Sequence, residues 1–339
     1  MKRELVVHSA GPGVTIQDLG RTGYLAFGVS RGGAADVQAM FEGAALLDQS
    51  VDLAALEMAE IGGQFEFSCD TRFALTGARM RAHLNGATLQ WSASHLAPKG
   101  SRLTIGAVEK GVYGYLHMGG GIATEPVLGS QSVHGAAGIG APVQPRDRLP
   151  LGPDTQSGTG LVLSNSDDVN LKPIRVLPSL QTALFDDHEI ERFSSTTFQR
   201  GRRGNRMGVR LEQEGKGFSS AAGLSVLSEV IVPGDIQITG DGSPFVLLCE
   251  CQTTGGYPRI GTVLPTDLPR VAQTRPGEPL RFAFVTLDQA VEIERQTAAD
   301  RQALRKRLVP LIRDPANIDG LLAMQLISGV TSGDDLDDG

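Results

Sequence analysis

The stretch Gln252-Thr253-Thr254-Gly255-Gly256-Tyr257-Pro258-Arg259 follows the apolar run Phe245 to Cys251 and gathers an amide, two hydroxyls, a phenol and a guanidinium on one turn. Its paired glycines let a ligand approach the backbone closely, so the composition suits a small, planar, polar ligand. Gly-Gly and Tyr-Pro also punctuate ordinary hairpins, and a plain turn is the competing reading. Four more polar clusters lie beside glycines. In Gly13–Gly23, Gln17, Asp18 and Arg21 share one turn, where the acid and the arginine either meet a ligand or pair with each other to fix the loop. Gly204–Leu211 contributes Arg206, and Pro233–Ile238 contributes Gln237. Converging on the 252–259 turn, these amides and arginines would bracket an amide or carboxylate and stabilise an oxyanion as it forms. The run Leu116–Gly121, a strand ending in three glycines, fits a backbone approached by a ligand or by another chain, and equally a tight bend.

Several common chemistries are set aside. There is no Gly-x-x-x-x-Gly-Lys-Ser/Thr loop, no Gly-x-Gly-x-x-Gly after a strand and no His-Glu-x-x-His. The six histidines show no metal-ligand spacing, and each reads as a core or surface residue; no metal is expected. Three cysteines are too few for a disulfide framework, and Cys249 and Cys251, two apart, read as small core residues on one face of a strand. A Met-Lys-Met tripeptide is absent, so the chain is not expected to carry biotin itself.

The elements that must position these residues read as mainly β. In 339 residues, 43 glycines against 17 aromatic residues imply many turns, and the length suits two cores. Short apolar runs recur through residues 1–150, with an Asn85-Gly86 hairpin of the type that needs positive φ at both central positions. One helix breaks the pattern from Asp36, with Val37, Met40, Phe41, Ala44 and Leu47 on one face. A polar stretch between Pro150 and Pro173 divides an N-terminal β-rich lobe, 1–165, from a second β lobe, 172–290, followed by a helical extension and acidic tail, 291–339. From Leu287 to Ile312 the helical spacing of Ala290, Val291, Ile293, Leu304, Leu308 and Leu311 suggests one or two helices.

The formal charge is −7, and four of those charges lie in the Asp334–Asp338 tail, which argues against a nucleic-acid partner. Arg200, Arg202, Arg203, Arg206 and Arg210 form a local basic exception, read as solvated surface for most of its members. No apolar run approaches the length of a membrane span, and Met1-Lys2-Arg3 precedes a short strand and no secretory core, so the chain reads as cytoplasmic with no membrane partner.

Taken in order, these motifs resemble the allophanate hydrolase subunit 2 family, also described as the C-type subunit of 5-oxoprolinase or as biotin-dependent carboxyltransferase-like. The resemblance is carried by Thr15–Arg21, Gly28-Val29-Ser30 with Gly33 and Asp36, Leu56-Glu57, Leu75–Ala78, Gly119–Ile122 and Leu128-Gly129-Ser130. It continues through Arg206–Leu211, Pro233–Gln237, Asp241-Gly242 and Gln252–Pro258, and so runs from about Val6 to Ala290. Two stretches depart from the family pattern: Thr239–Pro244, and Gly135–Gly140, where an expected arginine is missing.

The resemblance implies a mainly β, cyclophilin-like barrel architecture in two lobes. It also implies a partner, a subunit 1 homologue that corresponds to the B-type subunit of 5-oxoprolinase. In the 5-oxoprolinase branch, a third protein, like the A-type subunit of that enzyme, joins the pair to open a lactam with ATP, giving glutamate. In the urea amidolyase branch, the equivalent region moves carboxylate from carboxybiotin to urea; a third branch regulates a sporulation kinase. Both enzymatic substrates are neutral amides, which a paired donor and acceptor recognises. On that reading Gln252, Thr253, Thr254 and Arg206 are the expected catalytic residues, and Gln237, Gly255, Gly256, Tyr257, Arg259, Gln17, Asp18 and Arg21 the expected substrate contacts. A chain without fused carboxylase or carrier sequence favours the 5-oxoprolinase branch, with ATP used by the complex.

Overall fold

A computed structural model describes residues 2–164 and 172–312. The first ten strands are β1 (Glu4–Ala10), β2 (Val14–Gln17), β3 (Ala55–Ala59), β4 (Gly63–Phe67), β5 (Thr71–Leu84), β6 (Ala87–Thr88), β7 (Ala93–Ala97), β8 (Arg102–Met118), β9 (Arg148–Pro150) and β10 (Leu161–Leu163), with helix α1 (Val37–Leu47) between β2 and β3. The second set is β11 (Ile174–Leu177), β12 (Phe198–Asn205), β13 (Gly208–Glu212), β14 (Glu229–Val230), β15 (Asp235–Ile238), β16 (Pro244–Leu247), β17 (Thr254–Gly255), β18 (Arg259–Val263), β19 (Pro279–Leu280) and β20 (Phe282–Phe284). Helix α2 (Asp187–Ser195) precedes β12, α3 (Leu268–Gln273) follows β18, and α4 (Leu287–Gln302) leads to a last strand, β21 (Leu308–Pro310).

Strands β1 to β10 and β21 form one sheet, with the path β21-β10-β7-β5-β8-β4-β1-β9 and β2, β3 and β6 joined beside it. The second sheet runs β19-β12-β13-β16-β15-β18-β11-β20, and β14 pairs with β17 as a separate ribbon. The protein is mainly β, with a nearly closed, barrel-like sheet. The apolar runs Phe73–Leu75 and Arg81–Leu84 fuse into β5, and Leu103–Ile105 and Val112–Met118 fuse into β8. Register shifts between Gly77 and Ala82 bend the pair, and a Cβ on Gly77, at φ +70°, would lie 2.5 Å from the Tyr113 carbonyl. Asn85 and Gly86 have φ of 50° and 88°, as a two-residue hairpin turn requires.

The side chain of Asp36 caps α1 by accepting from Ala39 N at 3.0 Å. The buried face of α1 lies on the first sheet, where Gly43 sits so close to the His117 ring that a Cβ would come within 2.4 Å of it. The largest apolar cluster crosses between the sheets: Met40, Ala55, Tyr113 and Tyr115 pack with Phe193, Phe198, Val209, Ile236, Val246 and Phe282. Among the described residues no helix is long and apolar enough to cross a membrane.

Four expectations change. The 245–251 strand stops at Leu247, and residues 248–251 form a turn closed by Cys251 N donating to Leu248 O at 3.0 Å. Cys249 and Cys251 therefore sit on that turn and not on a strand face, and they join different apolar clusters. The terminal helix ends at Gln302, and Leu308 lies in β21, paired with Leu163 of β10. Arg200, one of a run read mostly as solvated surface, is buried in the second sheet. The acidic tail lies outside the described residues.

Candidate functional site

Arg206 stands at the tip of the β12–β13 hairpin and reaches across the seam between the sheets. Its Nη1 donates to Glu57 of β3, its Nε to Glu250 Oε1 at 2.5 Å, and its Nη2 to the Gly33 carbonyl at 2.5 Å. Glu57 accepts further bonds from Tyr115 Oη at 2.6 Å and Ala35 N at 2.8 Å, while Asp36 N donates to the same Tyr115 oxygen. Burial works against the charged guanidinium, yet Glu57 and Glu250 outweigh it and hold Arg206 well above its ordinary value. Burial, with Glu57 and Asp36 beside it, likewise pushes the Tyr115 phenol well up. All three donor directions of Arg206 are thus taken by the protein itself.

Beside this strut lies the 18–36 loop. Asp18 accepts from Gly20 N at 2.7 Å, Ser130 Oγ at 2.6 Å, Gln131 N at 2.7 Å and the Ser132 hydroxyl. Arg21 Nη2 donates to the Ser132 carbonyl at 2.5 Å. Both residues of the expected Asp18–Arg21 pair therefore fix the loop, each through the 130–132 segment. Gln17 is buried and donates to Thr15 Oγ1 and the Val133 carbonyl. His134 completes the cluster: Ala137 N donates to its Nδ1 at 3.1 Å, which leaves the proton on Nε2 to donate to Ser30 Oγ at 2.9 Å. Burial, with Arg21 and Arg206 adding to it against Glu250, keeps the imidazole pKa below its ordinary value. Glu250 Oε2 also accepts from Ala136 N at 3.2 Å, so the turn that lacks the expected arginine rests on a carboxylate already paired with Arg206.

The 252–259 bend lies apart from these contacts, over the outer face of the second sheet. Gln252 and Thr254 are exposed, Thr253 and Gly256 half-buried, and Tyr257 is 43% exposed. β17 pairs Thr254 with Val230 and Gly255 with Glu229. Under this ribbon Gln237 is buried, its Nε2 has no partner among the described residues, and a Cβ on Gly255 would stand 2.5 Å from that nitrogen. The β15–β18 register shifts between Ile236 and Gln237, a bulge of the kind that re-aims a side chain. Arg259 is filled: it donates to Glu229 at 2.5 Å, to Asp235 at 3.3 Å, to the Val230 carbonyl at 2.9 Å and to Gln181 Oε1 at 3.3 Å.

The structure thus gathers Gln237, Gly255, Gly256 and Arg259 in one place and Gln17, Asp18, Arg21 and Arg206 near another. The second group contains residues that the sequence did not single out by chemistry. Glu57 and Ser30 appear only inside motifs of the resemblance, His134 reads as an unremarked histidine, and no local pattern marks Glu250.

A mainly β chain whose two sheets meet at this seam belongs to the carboxyltransferase domain family, subdomains A and B, whose model matches residues 27–284. The chain is 34% identical over 299 residues to the C subunit of 5-oxoprolinase from Escherichia coli (strain K12), covering 85% of this chain and 93% of that one. It is 25% identical over 303 residues to the urea amidolyase of Saccharomyces cerevisiae, covering 83% of this chain but 16% of that one. The crystal structure of the K. lactis urea amidolyase shares the fold with a TM-score of 0.79 at 23% identity, over 93% of this chain and 21% of that one.

Proposed function

We propose that this chain is one subunit of an ATP-dependent, cytoplasmic 5-oxoprolinase, working with a subunit 1 homologue and a third subunit. The observation that carries the reading is the nearly end-to-end match to the C subunit of a 5-oxoprolinase, 93% of the relative's length, against 16% for yeast urea amidolyase. Opening a lactam builds negative charge on its carbonyl oxygen, and donors placed in advance stabilise that charge. Gln252 and Thr254 are exposed, with Thr253 half-buried between them, and they are the donors this reading assigns to such a carbonyl. The neutral His134 holds its proton on Nε2 against Ser30, and Arg206 positions Glu57 and Glu250 across the seam. Arg206 and Arg259, expected as a catalytic residue and a substrate contact, do not fit the task of holding a phosphate here because the protein's own acceptors fill them. The reading therefore leaves the nucleotide to the other subunits.

The second reading, a carboxyltransferase acting on urea, draws on the family's description and on the match to yeast urea amidolyase. Co-expression with the two partner subunits separates the readings, with phosphate release followed in the presence of 5-oxoproline or urea. Release with 5-oxoproline alone supports the proposal, and dependence on a biotinylated carrier moves the assignment to urea carboxylation. In the active complex, Gln252→Ala and Thr254→Ala are expected to cut turnover by about tenfold or more without preventing assembly. Loss of assembly in place of turnover would return the bend to a structural role.

A further inference from the structure

Arg21, Arg206 and Arg259 are the three arginines among the expected site residues, and they differ in what already occupies them. Arg206 is clasped by two carboxylates and a carbonyl, and Arg259 by two carboxylates, a carbonyl and an amide. Arg21 is 2% exposed and has no ion pair with a carboxylate among the described residues. Its Nη2 meets the Ser132 carbonyl, its Nε only a distant Val127 carbonyl at 3.5 Å, and its Nη1 is buried with no partner among the described residues. A guanidinium keeps its charge at any ordinary pH, so one buried without a counter-ion is costly. Burial pushes Arg21 down from its ordinary value, and Asp18 and Glu250 only partly counter it.

The backbone next to the unpartnered nitrogen is shaped for close approach. Gly32 has φ +63°, and a Cβ there would stand 3.3 Å from Arg21 Nη1 and 3.0 Å from His134 Cδ2, so any side chain would fill the space between guanidinium and imidazole. Above it, Arg21 N donates to Arg31 O at 2.8 Å and closes a mostly exposed loop that holds Gly23 and Gly28 at positive φ. Its base is tied by Arg31 Nε donating to the Leu19 carbonyl and Gly32 N to the Cys249 carbonyl, so a ligand reaches the buried Nη1 only if the loop shifts outward.

We propose that Arg21 is the anion-recognition residue of this protein, its Nη1 receiving one oxygen of a small ligand's oxyanion, a carboxylate or a phosphate, between Gly32 and His134 beneath the 21–31 loop. The inference rests on the proposed function for its first candidate ligand, since 5-oxoproline is a lactam bearing a carboxylate and urea bears none.

The test is isothermal titration of the co-purified complex, as wild type, Arg21→Met and Arg21→Lys, with L-5-oxoproline, 2-pyrrolidinone (the same lactam without the carboxylate) and inorganic phosphate. Wild type is expected to bind L-5-oxoproline about tenfold or more tightly than 2-pyrrolidinone, the factor one charge-assisted hydrogen bond supplies. Arg21→Met should erase that preference and Arg21→Lys should keep part of it. Phosphate binding with the same dependence on Arg21, in place of 5-oxoproline binding, supports the site and assigns its oxyanion to a phosphate group. An Arg21→Met complex with wild-type affinity for both anions overturns the inference. Should that variant fail to fold, a wild-type complex that binds 2-pyrrolidinone as tightly as 5-oxoproline and ignores phosphate overturns it equally. A complex that turns over urea and not 5-oxoproline sinks the proposed function, and Arg21-dependent phosphate binding then decides this inference alone.

Discussion

At the scale of single residues, one distinction organises the candidate site: a polar group whose partners are supplied by the fold is a strut, and one left without partners is waiting for something else. Arg206 is a strut, bound to Glu57, Glu250 and the Gly33 carbonyl. Arg206→Met leaves two buried carboxylates across the seam with no counter-charge, and breaking a buried pair in this way costs about 3–5 kcal/mol. We expect a marked fall in melting temperature, and a smaller fall for Arg206→Lys, which keeps the charge but cannot donate in three fixed directions. An unchanged melting temperature with lost turnover would instead place Arg206 in contact with ligand. Gln237 is the opposite case, a buried amide whose Nε2 has no partner among the described residues. Gln237→Leu is expected to match or exceed wild-type stability by up to ~1 kcal/mol in denaturant titration, because the buried Nε2 carries a desolvation cost with no hydrogen bond against it. A loss of more than that amount would mean the amide is satisfied by the fold after all. The sequence carried Arg206 and Gln237 as polar residues beside glycines, but it could not say which was saturated, since Glu57 is 149 positions from Arg206 and Glu250 is 44.

At the scale of elements, what is local was legible and what is paired at a distance was not. The Asn85-Gly86 turn and the Asp36-capped helix follow from backbone sterics and from one side chain reaching the first turn, so adjacent residues encode them. The fusion of separate apolar runs into β5 and β8 depends on bulges between the two strands, which neither strand encodes alone. Leu308 satisfied a helical period, yet a strand partner in β10 and the end of α4 at Gln302 decided otherwise. Helix α3 shows how elements from the two sheets are tied: Gln273 Oε1 accepts from Val112 N and Tyr113 N, each at 2.9 Å, and its Nε2 donates to Asp36 and to the Tyr113 carbonyl, each at 2.8 Å. Gln273→Ala strands two backbone donors and a carboxylate at once. The expected cost is about 2–4 kcal/mol, read as a lower denaturation midpoint with an unchanged slope, and Gln273→Glu should not rescue it because a carboxylate cannot donate to Asp36. A midpoint within error of wild type would show that water replaces the side chain at no cost.

At the scale of the whole molecule, an apolar cluster crosses from one sheet to the other and packs the two halves together, so we expect unfolding to report the titration of groups in either. Two groups of the α1 layer act in opposite directions. Burial pushes His117, hydrogen-bonded to Thr76 and packed on Gly43, down to about 3 from an ordinary 6.5. Its folded-state pKa is depressed, so the stability it contributes is complete above pH 6.5 and is lost as the pH falls toward about 3. Burial, with Asp36 adding to it, raises Glu42 from 4.5 to about 7. Its contribution is complete below pH 4.5 and is lost as the pH rises through about 7. Each slope is at most ~1.4 kcal/mol per pH unit, so the two offset one another between 4.5 and 6.5 and act singly outside that window. Glu42→Gln keeps the Gln38 hydrogen bond and removes the ionisation; we expect it to raise the melting temperature at pH 8 and leave it unchanged at pH 4.5. His117→Gln is expected to lower stability at pH 8 through lost packing and, with Glu42 left unopposed, to make stability rise as the pH falls from 6.5 to 4.5. Wild-type and Glu42→Gln melting curves that stay parallel from pH 4.5 to pH 8 would show that Glu42 is solvated and titrates like a surface carboxylate, and the balance between the two groups would not hold.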